Sequence, residues 1–256
     1  MNGAIALFVS DTAYDNFMGR YSVRLAAPFA DFAGIAHGMR VADVGAGTGA
    51  LTRELASRGA VVAAADPAPA FVAALKERLP DVEVEAAPAE ALPWPDESFD
   101  ASLAQLVVTF MNDAPKGVQE MRRVVKPGGT VAVCMWDRDG MEMLAAIHRA
   151  QSALAADSPD TEARTLYRTR EEIESLFVDG FESVETELLE VESGYTGFGE
   201  FWDAVRGGAG PAGQWAAALE GDALAAAHDE LHRQLGEPSG AFRLVGRAWA
   251  TRARRS

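Results

Sequence analysis

A chain of 256 residues, 48% of them hydrophobic, is long enough for a sizeable core in one large domain or a domain with a substantial insertion. Its formal net charge of −15 disfavours nucleic acid and anionic membrane surfaces as partners and leaves a small molecule as the expected one. No apolar run is long enough to span a bilayer, Met1–Ser10 lacks a basic start and a cleavage site, and the lone Cys134 excludes an internal disulfide framework and reads as an inert buried thiol, so the expectation is a cytoplasmic protein without a signal peptide.

Residues 11–36 read as helical, with Tyr14, Phe17, Met18 and Tyr21 at i, i+3, i+4 and i+7. That stripe is either plain packing or a cap over a ligand held further along the chain. An apolar strand follows and runs into Gly45, Gly47 and Gly49 within Val41-Ala-Asp-Val-Gly-Ala-Gly-Thr-Gly-Ala50. A helix then places Leu51, Leu55 and Ala56 on one face and stops at Gly59. Strand, glycine turn and helix open an α/β nucleotide-binding sheet. Asp43 is the odd residue, because a charge near the end of a buried strand is costly unless paired or turned to a ligand. Spaced as Gly45-x-Gly47-x-x-Ala50, the loop suits a dinucleotide with its pyrophosphate on the helix N-terminus. The spacing Asp43-x-Gly45-x-Gly47-x-Gly49 is the other reading, and the glycines alone do not decide.

The second strand, Val61–Ala65, ends in Asp66, twenty-one positions after Gly45 and near the offset expected of a ribose-binding acid. Asp66 also suits the cap of a helix opened by Pro67, and the two roles are compatible. Phe71, Leu75 and Leu79 stripe that helix up to Pro80, and Val82–Ala86 alternates as a third strand. Three prolines then stiffen Pro88–Ser98 and exclude a helix there. Phe99–Phe110 reads as a fourth strand running into a loop, Asn112–Pro115 starts a helix carrying Val118, Met121 and Val125, and Lys126-Pro-Gly-Gly129 turns into a fifth strand, Thr130–Trp136.

Four segments taken in this order carry a resemblance: the glycine loop, strand-end Asp66, Ala89-Glu-Ala-Leu-Pro-Trp-Pro-Asp-Glu-Ser-Phe-Asp100 and Met121-Arg-Arg-Val-Val-Lys-Pro-Gly-Gly129. Over roughly residues 40–136 the chain resembles class I S-adenosylmethionine-dependent methyltransferases of the ubiquinone and menaquinone biosynthesis type. The resemblance implies S-adenosyl-L-methionine as cofactor. It implies that Gly45, Ala46 and Gly47 line its methionine part, that Gly49 shapes the turn, and that Asp43 assists its amino group directly or through water. Asp66 would hold the ribose, Pro67 would pack near the adenine, Ala89 and Glu90 would flank the adenine edge, and Gln105 would sit near the reactive methyl. In the cap reading, Arg20 and Tyr21 lie near the cofactor's carboxylate. Pro88 departs from the family pattern, which often has an acid there for the adenine amino group; backbone or another side chain must then supply that contact.

The fold implied is a Rossmann-like, doubly wound α/β sheet of seven mostly parallel strands with an antiparallel last strand. The chain is expected to be one domain, 1–256, made of an N-terminal helical cap (1–38), a cofactor-binding core (39–137) and lid helices with the final strands (138–256). Met141–Ala156 reads as a helix, Thr169-Arg-Glu-Glu172 as a capping box, Phe181–Val191 as a strand, Gln214–Leu235 as an Ala-rich helix and Ala241–Thr251 as the last strand. Tyr195, Phe198, Phe201 and Trp202 suit either an apolar, planar acceptor or lid packing, and Arg252–Arg255 reads as a solvated tail.

Catalytic residues are not assigned. His37, His148, Tyr14 and Asp113 are isolated candidates for a base. His228 and His232 lie four apart but lack a third ligand, and no metal site is expected. Methyl transfer by direct displacement at a sulfonium needs mainly alignment and exclusion of water, so a missing catalytic cluster is no objection to an enzyme. Two alternatives stand beside this reading: an NAD-dependent oxidoreductase, and a non-catalytic S-adenosylmethionine-binding module.

Overall fold

The computed structural model describes residues 15–154, 166–207 and 210–256. Expectations for Met1–Ser10 and Tyr14, and for the last two residues of the helix drawn to Ala156, lie outside them. Helix α1 (Arg20–Phe32) follows a π-helical turn at Asp15–Gly19 and carries Pro28 inside it. Strands β1 (Arg40–Val44), β2 (Val61–Asp66), β3 (Glu83–Ala86) and β4 (Phe99–Gln105) alternate with helices α2 (Ala50–Ser57), α3 (Pro69–Arg78) and α4 (Ala114–Val124). Next come β5 (Val125–Met141), α5 (Glu142–Leu154), α6 (Arg170–Glu174), β6 (Phe181–Tyr195), α7 (Phe198–Arg206), α8 (Gly210–Ala217), α9 (Gly221–Gln234) and β7 (Phe242–Arg255).

Among the described residues seven strands join one sheet in the order β3-β2-β1-β4-β5-β7-β6, six parallel and the last antiparallel. The register pairs Asp43 with Ala64 on one side and Leu103 on the other, and Gln105 with Cys134. Strands covered on both faces read as continuous apolar runs, which is why Val-Val-Ala-Ala-Ala serves β2. One face packs Ala42, Val44, Ala63 and Ala65 with Phe99, Met121 and Val133, and the other packs Ala64 and Val84 with Val72 and Leu75 of α3. Fully buried side chains such as Phe99, Leu103 and Met121 contribute about 1.5–3 kcal/mol each through removal from water.

Several boundaries differ from the sequence reading. Helix α3 opens at Pro69 with Ala68 as its cap residue, not at Pro67. The proline-rich loop contains one 3-10 turn, Ala89–Ala91, too short to need the amides the prolines lack. β5 takes Val125 from the predicted helix and pairs it with Phe99; the irregularity before Thr130 absorbs Lys126–Gly129, where Gly128 has φ +75°. The Ala-rich helix is two, α8 and α9, separated near Gly221 with φ +54°. Arg252–Arg255 is not a solvated tail. Arg252 donates to the Phe32 carbonyl and pairs with Glu185, and Arg255 donates to the Val125 carbonyl and pairs with Glu97.

The described residues divide into two compact units: those within 1–24, 138–164 and 190–247 form the first, and those within 25–137, 165–189 and 248–256 the second. The second contains the sheet from β1 to β4 with α2, α3 and α4. The first is helical and aromatic. In it Tyr195 packs edge-on to Phe201 and stacks on Phe242, and the rings of Phe198, Trp202, His228 and His232 lie against one another. No helix among the described residues is long and apolar enough to cross a membrane.

Candidate functional site

The second unit gathers four loops at the carboxyl ends of β1, β2, β3 and β4. Strand order reverses between β1 and β4, and open α/β sheets bind ligands at that crevice. The first loop is left-handed at Gly45, Gly47 and Gly49, with φ of +75°, +53° and +86°. The three glycines are required for different reasons. A Cβ on Gly45 would meet the Val107 side chain at 2.4 Å, and one on Gly49 would meet Leu75 at 2.5 Å, so both are packing positions. A Cβ on Gly47 would have nothing within 4 Å. There the loop backbone faces open space, which is what close approach of a ligand needs.

Asp66 ends β2 beside that loop. Its carboxylate accepts from the Gly47 amide at 2.9 Å and from the Ala68 amide at 2.8 Å, one bond on each oxygen. Burial raises its pKa, and the two backbone bonds oppose the rise. A carboxylate has about four acceptor directions, so both oxygens retain capacity for a pair of ribose hydroxyls. Asp66 is not the cap residue of α3, but its carboxylate orders Pro67–Ala68 ahead of that helix and also holds the Gly47 amide. Pro67 is exposed next to it. The loop after β3 is tied to the same place, since the Ala87 amide donates to the Asp66 carbonyl at 3.2 Å. Ala89 is buried there, and Glu90 accepts from the Asp113 amide at 3.0 Å. Asp113 in turn caps α4 through the Lys116 amide, a structural task rather than that of a base.

Gln105 is half-buried at the end of β4. Leu106 follows with φ +62°, a conformation uncommon without glycine, and its amide donates to the Cys134 carbonyl at 2.9 Å. The turn aims Val107 at Gly45. Nothing in the local sequence signalled Leu106 or Val107, because the strain serves a contact between distant segments. Arg123 was also missed. Its guanidinium donates to the carbonyls of Leu92 and Trp94 and to Asp96 and Glu120, while Glu97 and Ser98 donate their amides to the carbonyls of Arg123 and Val124. Arg123 thus clamps the proline-rich loop onto α4, which physically joins two of the motifs read separately in the sequence.

Asp43 lies beneath the glycine loop, 1% exposed. It accepts from the Thr52 hydroxyl at 2.5 Å. Burial pushes its carboxyl up to about 7, with the Asp66 charge adding and the Thr52 bonds opposing.

Arg20 and Tyr21 belong to the first unit. Arg20 donates to the Gly194 carbonyl and Glu200 and lies over the Tyr195 ring, and the Tyr21 hydroxyl is 3.2 Å from that of Tyr195. Tyr195, Phe198, Phe201 and Trp202 are themselves buried, so of their two readings the packing one describes them. His228 bonds to Asp229 and His232 to the Pro238 carbonyl. No group of three His, Cys, Asp or Glu among the described residues could hold a metal ion. His37 lies against Gly59 at the amino end of β1, on the opposite edge of the sheet from the glycine loop, which removes it as a base.

The fold is that of Rossmann-like methyltransferases, and the loop cluster lies where that fold binds its ligand. Residues 42–133 match the family model described as a methyltransferase domain, a span wholly within the second unit that contains the glycine loop, Asp66, Ala89, Glu90 and Gln105. An uncharacterized protein of Mycobacterium tuberculosis is 33% identical over 168 residues, 62% of this chain and 60% of its own length. The demethylmenaquinone methyltransferase of Mycobacterium sp. strain KMS is 43% identical over 101 residues, 40% of this chain and 43% of that enzyme. The matches thus span less than two thirds of these curated relatives. A solved structure from Anaeromyxobacter dehalogenans, described as a candidate type II methyltransferase, superposes with a TM-score of 0.65 over 90% of this chain and 95% of its own, at 24% identity, a likeness of fold.

Proposed function

We propose that the protein transfers a methyl group from S-adenosylmethionine to a small-molecule acceptor by direct displacement. The observation that carries this reading is the pairing of an open left-handed glycine, Gly47, with a strand-end acid that holds its amide, Asp66, inside a methyltransferase domain. In this reading the backbone of Gly45, Ala46 and Gly47 lines the methionine part of the cofactor. Asp66 takes the ribose hydroxyls, Pro67 and Ala89 flank the adenine, and Gln105 lies near the methyl. Glu90, whose carboxylate is engaged by the Asp113 amide, shapes the adenine edge rather than binding it by charge. Asp43 does not touch the cofactor in this reading, because it is buried beneath the loop; it acts as a buried negative charge beneath a cationic ligand, with Thr52 on one of its oxygens. Gly49 supports the turn through its packing on Leu75.

The donor loses its sulfonium charge as the methyl departs, so the residues' tasks are to align the sulfur, methyl and nucleophile and to keep water out. A small acceptor agrees with a net charge of −15, which disfavours nucleic acid. The demethylmenaquinone enzymes share the methyltransferase portion, and their acceptor is not carried over to this chain.

Photo-crosslinking tests the reading. Irradiation with methyl-labelled S-adenosylmethionine should attach label to peptides from residues 40–68 and 87–107. S-adenosylhomocysteine should suppress the labelling and NAD should not. Label confined to the first unit, or displaced by NAD, overturns it.

A further inference from the structure

Beneath the glycine loop lies a polar pair, Asp43 and Thr52, of which the reading above gives a task to Asp43 alone. Asp43 sits on the face of β1 that packs against α2, and its register neighbours, Ala64 and Leu103, are apolar. Thr52 is fully buried on the first turn of α2, on the same helix as the apolar Leu51 and Leu55. That turn has no side-chain cap of its own, because its cap residue is Gly49. Asp43 supplies from the neighbouring strand what a capping side chain would supply locally. It accepts the Thr52 hydroxyl at 2.5 Å and receives help from the Thr52 backbone amide, while the helix N-terminus favours its negative charge. A bond from a hydroxyl to a carboxylate at this distance is of the strong, charge-assisted kind.

We propose that Thr52 is a positioning residue for the cofactor site. By donating its hydroxyl to Asp43 it ties α2 to β1 across the glycine loop and keeps a negative charge fixed under that loop, to which the affinity for a cationic ligand responds. The proposal rests on the functional reading above. The surroundings make the charge sensitive to its partner. Burial opposes ionisation of Asp43, the nearby Asp66 carboxylate opposes it further, and the Thr52 bonds favour it. The guanidinium of Arg53 on α2 is turned to the Thr48 carbonyl instead. S-adenosylmethionine, with a sulfonium and an ammonium, should therefore bind more tightly as pH rises through neutrality. S-adenosylhomocysteine, which lacks the sulfonium, should respond less.

Calorimetric titration of S-adenosylmethionine and S-adenosylhomocysteine from about pH 6 to about pH 8.5 tests this. Thr52→Val keeps the shape and removes the donor. Its binding curve should move to higher pH, with affinity several-fold weaker near pH 7 and the deficit shrinking towards pH 8.5. Thr52→Ser should restore the wild-type profile. Asp43→Asn, which retains an acceptor for Thr52 but no charge, should bind weakly with an affinity nearly independent of pH; it keeps the test decisive should Thr52→Val not fold. A Thr52→Val profile superimposed on wild type, or an Asp43→Asn protein with the wild-type pH dependence, overturns the proposal while leaving the cofactor assignment intact. Wild type that binds neither ligand at any pH overturns both.

Discussion

The glycine loop allows a prediction in which two substitutions of the same chemistry have opposite consequences. At Gly47, with φ +53° and nothing within 4 Å of an added Cβ, alanine meets only backbone strain. A left-handed non-glycine residue costs about 1–2 kcal/mol, so Gly47→Ala should unfold in urea only slightly earlier than wild type. At Gly45 the same strain applies at φ +75°, and the new methyl meets Val107 at 2.4 Å. Overpacking of this kind adds about 1–3 kcal/mol, for a total of about 2–5 kcal/mol. Binding should rank the other way for the fraction that remains folded: the alanine methyl at position 47 occupies the space a cofactor would enter, whereas the one at position 45 points at protein. Tryptophan fluorescence in a urea series measures the first quantity and calorimetry with S-adenosylhomocysteine the second. Val107→Ala should partly rescue the stability of Gly45→Ala and leave Gly47→Ala unchanged, since only the contacting pair couples. Equal destabilisation at the two positions, or undiminished affinity in Gly47→Ala, would refute the division of labour in the loop.

Other outcomes follow from the same contacts. Asp66→Ala removes the acceptor for two backbone amides and should weaken cofactor binding by roughly 1–3 kcal/mol, read by the same titration; wild-type affinity would contradict the ribose assignment. Arg123→Ala, with the side chain 31% exposed, should cost about 1–3 kcal/mol of stability and increase proteolysis between Pro88 and Ser98; an unchanged cleavage pattern there would contradict the clamp. The Asp43 carboxyl, raised by burial to about 7, keeps its proton in the folded state after the unfolded chain has lost it. Its contribution to stability is therefore full at low pH and falls as pH rises towards 7, by at most about 1.4 kcal/mol per pH unit; Asp43→Asn should flatten that slope in urea unfolding measured from about pH 4.5 to about pH 7.5. Cys134 is buried and its thiol pKa is raised by desolvation, so iodoacetamide should label it only after denaturation.

The parts of this architecture written in local spacing were legible in the sequence. Glycines at alternating positions after an apolar strand, and an acid at the end of the next one, identified the two sides of the candidate site. The capping box was largely right: Thr169 accepts from the Glu172 amide, although Glu172 reaches back to the Arg168 amide rather than that of Thr169. What depends on distant partners was not legible. β6 and β7 run on to Tyr195 and Arg255, past their alternating patterns, and the added ends are held by distant partners: Glu192 by Arg243, Arg252 by Glu185 and Arg255 by Glu97. The break between α8 and α9 was hidden by alanines that favour helix on both sides of it. Thr52 and Arg123 carry no signal in local spacing; each takes its meaning from a carboxylate or carbonyl on another segment. The aromatic run from Tyr195 to Trp202 shows the converse. Rings that suggested a binding surface are buried against one another in the first unit.

Calorimetric titration of the purified protein with S-adenosylmethionine, S-adenosylhomocysteine and NAD tests the central claim most directly. Saturable binding of the first two, weakened in Gly47→Ala and Asp66→Ala and absent for NAD, is the result predicted. Tight binding of NAD with no response to either adenosyl compound would contradict it and assign the glycine loop to a dinucleotide instead.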